Sequence, residues 1–200
     1  MISVNPIELK GNWYQGFALD LHTLSSRYIG PMPFGSEYET VRSEVGELLY
    51  KLKYRYDESV IEDIVEVVSF FLKNEWRIAD SLDGIIPVPP SEVFRIFQPV
   101  MRIVEALSEN LHIPMYKECL EKSKETPALK GIFEYEKRIE ILKNAFEIKN
   151  SDVVRDKDIL LFDDLYRSGA TLNILTQILY DQCLVDRVYV LTLTKTRISR

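Results

Sequence analysis

Two hundred residues, 46% hydrophobic and 28% charged, suffice for one domain that buries ~70% of its unfolded surface, which excludes a disordered chain and any need for a disulfide or metal staple. With 25 Lys+Arg against 31 Asp+Glu the net charge is -6, which argues against a broadly basic surface that coats nucleic acid. Cys119 and Cys183 build no zinc pattern, no apolar run approaches the ~18 residues of a membrane span, and the first ten residues lack a signal-peptide pattern, so the expected compartment is the cytoplasm.

In chain order, Trp13 to His22 alternates as a strand, with Phe17, Leu19 and Leu21 on one face and Ala18, Asp20 and His22 on the other. Gly30 to Gly35 is a loop by its Gly and Pro content. Val41, Val45, Leu48, Leu49 and Leu52 predict a helix over 37–54, and Ile61, Ile64, Val65, Val68, Phe71 and Leu72 another over 59–76. Gly84 to Val88 is a short apolar strand closed by Pro89-Pro90, and Pro99 opens a helix with Val100, Val104 and Leu107 turned inward. Then come a short strand over 112–116, a lysine-rich loop over 117–131, a helix over 132–142 and a strand over 145–148. Ile159 to Phe162 reads as a buried strand, 169–182 as a helix and 187–194 as a closing strand. Short apolar runs alternating with amphipathic stretches predict an α/β fold: an open, mostly parallel sheet flanked by helices. The expected division is an N-terminal hood and helical layer over 1–80 and an α/β core over 81–200, packed as one unit.

The most informative segment runs from Ile159 to Thr171. An apolar strand leads into Asp163 and Asp164, then into Ser168-Gly169-Ala170-Thr171 and a helix. Gly169 lets the backbone approach a ligand, Ser168 and Thr171 offer hydroxyls, and the helix start offers free N–H groups and a positive dipole end, all of which favour a phosphate. Asp163 and Asp164 can accept hydrogen bonds from sugar hydroxyls or hold the hydration shell of Mg²⁺. Taken singly, each feature has a plainer meaning: Ser or Asp before a helix is an N-cap, and adjacent acids after a strand form a solvated turn. The combination is far more specific than its parts.

This segment resembles the phosphoribosyl pyrophosphate (PRPP) loop of type I phosphoribosyltransferases, with Ser168 at a position more often Thr. The resemblance implies that Asp163 and Asp164 hold the ribose hydroxyls and that Arg167, Ser168, Gly169, Ala170 and Thr171 wrap the 5′-phosphate. Within that superfamily the chain is similar to the competence-protein ComF branch through Leu52 to Asp57, Ile85 to Pro89, Thr126 to Gly131 with Arg138 and Asn144 to Phe146, and Val188 to Leu193. It lacks that branch's four-cysteine zinc ribbon, and only Arg95-Ile96-Phe97-Gln98 represents its basic, glycine-containing segment.

The resemblance further implies pyrophosphate contacts from Pro89, Pro90, Ser91, Arg95, Lys122 and Lys124, with Mg²⁺ reaching the site on PRPP and through water near Asp163 rather than by direct side-chain ligation. The expected activity is transfer of ribosyl-5-phosphate from PRPP to a nitrogen nucleophile. The alternatives are a non-catalytic PRPP or nucleotide sensor, or a partner module of competence and DNA processing. A homodimer is compatible with the resemblance. Asp20 and His22 are too few for a metal site, so a hydrogen-bonded histidine is the expected role, and no general base is identified.

Overall fold

The computed structural model describes residues 2–32, 35–90, 97–122, 142 and 145–197. The central sheet contains β1 (Ile7–Glu8), β2 (Gln15–Leu21), β5 (Gly84–Pro87), β8 (Asp158–Tyr166) and β9 (Arg187–Lys195), in the spatial order β1-β2-β9-β8-β5. Only β1 runs antiparallel to its neighbour; β2, β9, β8 and β5 are mutually parallel. The fold is therefore the expected mostly parallel α/β sheet with flanking helices. Residues from both sides of position 80 build that sheet, because β1 and β2 extend it beyond β9.

Parallel strands buried on both faces need continuous apolar runs, and β8 and β9 supply them. Leu160, Phe162, Leu191 and Leu193 face one core, shared with α1 (Glu44–Arg55), α2 (Ile61–Phe70) and α3 (Pro99–Leu111). Ile159, Leu161, Val188 and Val190 face the other, shared with Leu172, Leu175 and Leu179 of α4 (Ala170–Asp181). Helix α2 continues into a wider π turn at Phe71–Glu75. Pro99 occupies the first turn of α3, where its missing N–H costs nothing.

Four expected elements differ. Gly30 and Gly35 do not bound a loop, and the first helix does not begin near residue 37. Instead β3 (Thr23–Met32) and β4 (Gly35–Arg42) form an antiparallel hairpin, and Val41 is exposed on it. The helix starts only at Ser43, whose hydroxyl accepts the Gly46 N–H at 3.0 Å, with Glu44 and Glu47 at the positive end of the dipole. The strand expected over 112–116 reduces to one bridge, Met115 to Ile85, because His112 caps α3 in the left-handed region (φ 56°). A small hairpin of β6 (Leu120–Lys122) and β7 (Phe146–Ile148) replaces the start of the expected lysine-rich loop. The rest of that loop and the helix expected over 132–142 lie outside the described residues, Leu142 excepted.

Candidate active site at the carboxyl edge of the sheet

β5 stops pairing with β8 at Pro87 opposite Phe162, and the Val88 N–H makes the last bond, to the Phe162 carbonyl at 2.8 Å. Pro89 and Pro90 then follow, and proline has no N–H to continue a ladder. β8 continues beyond that point. It does not end before the aspartates, as the apolar run alone suggests, but carries Asp163 opposite Thr192 and runs on to Tyr166. Asp163 and Asp164 therefore emerge where β8 has lost one neighbour and kept the other. This is the carboxyl end of parallel strands, the ligand edge of open α/β sheets.

The two aspartates differ in surroundings. Successive strand residues point to opposite faces. Asp164, 8% exposed, follows Leu160 and Phe162 toward the α1 side, where its Oδ2 accepts from Lys53 Nζ at 2.5 Å. Asp163 is partly buried, and its Oδ1 accepts the Asp164 N–H at 2.8 Å. Desolvation first, and the neighbouring Asp164 charge second, push the Asp163 carboxyl up from 3.8 to about 7.

After Tyr166 the chain bends through exposed Arg167 and half-buried Ser168 to Gly169, which has φ +74°. A side chain at Gly169 would be strained by that φ, and its Cβ would also meet the Tyr166 hydroxyl at 2.7 Å. Tyr166 thus covers one side of the bend. Ser168 Oγ accepts the Ala170 N–H at 3.4 Å, while the N–H groups of Thr171 and Leu172 sit in the first turn of α4 with no helical carbonyl to bond. Asn173 holds the bend from below. Its N–H and Nδ2 both donate to the Gly169 carbonyl, at 2.8 and 3.0 Å, and its Oδ1 accepts the Asn12 N–H at 2.8 Å.

The sheet edge also gathers residues that sequence patterning did not single out as chemical. His22 follows β2, and its Nδ1 lies 3.3 Å from Thr194 Oγ1, which donates to the Asp164 carbonyl at 3.3 Å. Burial first, then the charges of Arg42, Lys53 and Arg167, hold the His22 imidazole below its usual 6.5, against an opposing pull from Asp164. Arg42 lies over the Tyr50 ring at 3.7 Å. His22 was legible only as a hydrogen-bonded histidine, and Lys53 only within a family-like segment. No local pattern shows that α1 and the end of β2 converge on β8.

Of the expected site residues, Asp163, Asp164 and Arg167 to Thr171 come together at this edge, with Pro89 and Pro90 following the last β5–β8 bond. Lys122 lies in β6, opposite Phe146. Ser91, Arg95 and Lys124 lie outside the described residues, as do Lys130 and Arg138. Among the described residues, no group of three or more His, Cys, Asp or Glu side chains could hold a metal ion.

No protein-family model and no curated protein sequence matches the chain. Among solved structures it is similar to adenine phosphoribosyltransferase from Saccharomyces cerevisiae, at 11% identity and a TM-score of 0.47, over 85% of each chain. It is similar to adenine phosphoribosyltransferase from Thermoanaerobacter pseudethanolicus at 16% identity and a TM-score of 0.45, over 85% of this chain and 95% of that one. A hypothetical protein from Neisseria gonorrhoeae with bound ppGpp is similar at 16% identity and a TM-score of 0.42, over 72% of this chain and 74% of that one. Among the described residues no helix is long and apolar enough to cross a membrane.

Proposed function

We propose that this chain binds PRPP at the carboxyl edge of β8 and transfers its ribosyl-5-phosphate group to a nitrogen nucleophile, releasing pyrophosphate. One observation carries the reading: Asp163 and Asp164 emerge past the end of β5, six and five residues before a positive-φ glycine at the start of α4. A sugar bearing a terminal phosphate matches that pairing of carboxylates with free amides. Asp163 and Asp164 accept from the ribose hydroxyls. Arg167, Ser168, Gly169, Ala170 and Thr171 enclose the 5′-phosphate. Lys53 donates to Asp164 Oδ2 and holds that carboxylate in place for its acceptor role.

Pro89, Pro90, Ser91, Arg95, Lys122 and Lys124 are assigned to pyrophosphate. The transition state is oxocarbenium-like, so these residues act by positioning and by stabilising charge on the departing group. Mg²⁺, bound on PRPP with its waters near Asp163, supplies neutralisation of pyrophosphate charge. The assignment to the ComF-like branch and to the cytoplasm, with a second copy as protein partner, belongs to the same proposal.

Calorimetric titration with PRPP and Mg²⁺ tests the reading. Saturable binding is expected, and folded protein that shows none at millimolar ligand rejects it. Gly169→Val should abolish binding, because the new side chain is strained at φ +74° and collides with Tyr166.

A sensor without turnover is the second reading. It is favoured by Phe97, which stacks edge-on against Tyr56 at 5.8 Å, and by Gln98, which occupies the N-cap position of α3. Pyrophosphate release with any physiological acceptor rejects it.

A further inference from the structure

Phosphoribosyl transfer to an N–H acceptor yields a proton as well as pyrophosphate, and the residues placed above on PRPP leave that proton without a destination. One nitrogen base lies at the same edge. The Thr194 hydroxyl has a single proton, and the Asp164 carbonyl 3.3 Å away can only accept it. Its contact with His22 Nδ1 can then be a hydrogen bond only if Nδ1 carries the hydrogen and Thr194 accepts. In that arrangement the neutral imidazole is the Nδ1–H tautomer and its lone pair lies on Nε2, which has no hydrogen-bond partner among the described residues.

The groups charged toward His22 come from every side: Arg42 at the end of β4, Lys53 on α1, Asp164 on β8 and Arg167 in the phosphate turn. Burial first, and then cations that outnumber the carboxylate, hold the ring below its usual 6.5, so the neutral form is available as a base near pH 7. The His22 N–H also donates to the Lys195 carbonyl at 2.8 Å, which ties the ring's backbone to the end of β9. The backbone and the ring of His22 are thus each tied to β9, the strand that neighbours Asp164.

We propose that His22 is the general base of the transfer, with Nε2 taking the proton from the attacking N–H group. This rests on the phosphoribosyl-transfer reading. As the acceptor nitrogen forms its bond to the anomeric carbon, the carbon–oxygen bond to pyrophosphate breaks and its electron pair leaves with pyrophosphate. The N–H proton passes to His22 Nε2 and then to solvent. No oxidant, reductant or further reactant is involved.

The chain has two histidines, His22 and His112, so long-range ¹H–¹⁵N spectra of the whole protein, assigned with His112→Gln, report the tautomer directly. The Nδ1–H form at pH 7 is expected; the Nε2–H form or an imidazolium overturns the proposal. The kinetic test measures pyrophosphate release from Mg²⁺–PRPP with adenine, guanine, hypoxanthine, xanthine, uracil, orotate or water as acceptor. His22→Ala should lower kcat by about 10²–10⁴-fold, leave the calorimetric affinity for PRPP within about twofold, and recover part of the rate with added imidazole.

In the wild type, kcat should rise with pH through a value below 6.5 and then level, and this limb should be absent from the variant. The profile is read in kcat, at saturating PRPP, because Asp163 titration acts on PRPP affinity. A variant that turns over like the wild type overturns the base assignment alone. So does a wild-type protein that binds PRPP but turns over none of these acceptors. Failure of the wild type to bind PRPP removes the phosphoribosyl-transfer reading itself, and the base assignment falls with it.

Discussion

Strands β8 and β3 are nearly equal in length, nine and ten residues, yet they stand at opposite extremes of the molecule. β8 has strands on both sides and helices on both faces, and its first five residues are buried. β3 pairs only with β4, and every residue from Leu24 to Ile29 is exposed. The first strand is held by apolar burial, the second by its ladder, with Tyr28 and Tyr38 edge-on at 5.7 Å as a cross-strand pair. Two-stranded hairpins are marginal by themselves, so the hairpin depends on its base, where Ser43 Oγ donates to the Leu21 carbonyl at 2.6 Å. The polar edge lies between these extremes, where the burial of β8 gives out and the base of the hairpin delivers His22 and Arg42.

The contrast can be broken most forcefully at Phe162, which is fully buried in the α1–α3 core. Phe162→Ala should cost about 3–5 kcal/mol in denaturant unfolding, and a loss under about 1 kcal/mol would mean that β8 is not a core strand. Lys53→Met removes the partner of a carboxylate that is only 8% exposed. A loss of roughly 1–3 kcal/mol is expected by the same measurement, together with weaker PRPP binding.

Asp163→Asn should act in the opposite sense on stability. The folded carboxyl titrates at about 7 and an unfolded one near 3.8, so the folded state holds its proton more tightly. Stability therefore falls as pH rises between those values, and the full cost is present above 7. The variant should melt a few degrees above the wild type at pH 8, roughly 1 kcal/mol for this partly exposed group, with the gap closing toward pH 4 while PRPP affinity is lost. A gap that widens on acidification would contradict the assigned environment. Smallest of all, Tyr28→Ala on the hairpin should change stability by about 0.5 kcal/mol or less in thermal melts. A larger loss would show that this face is covered in solution.

Much of the core was legible because burial on both faces demands uninterrupted apolar residues, as in Ile159 to Phe162 and Val188 to Leu193. The proline that opens α3 was legible for an equally local reason. The hairpin was not, because Val41 matches the helical spacing of Val45, Leu48 and Leu52 and only the Ser43 cap breaks the series. The phosphate-turn residues were legible as a group, since Asp-Asp, Ser-Gly and the helix start lie within nine residues of one another. Lys53, His22, Thr194 and Asn173 were not legible as partners of that group, because they come from α1, the end of β2, β9 and α4 and meet only through the sheet order β2-β9-β8.

The sequence by itself determined which strands are central, where the backbone must bend at Gly169 and which carboxylates follow the apolar run, since each of these depends on neighbours along the chain. Only the tertiary structure decided that the two aspartates lie in different environments, one paired with Lys53 and one raised toward neutrality, and that a histidine stands beside them. The Lys53 pair and the histidine contact join residues more than one hundred positions apart, and the burial that raises Asp163 is set by packing in space rather than by order along the chain.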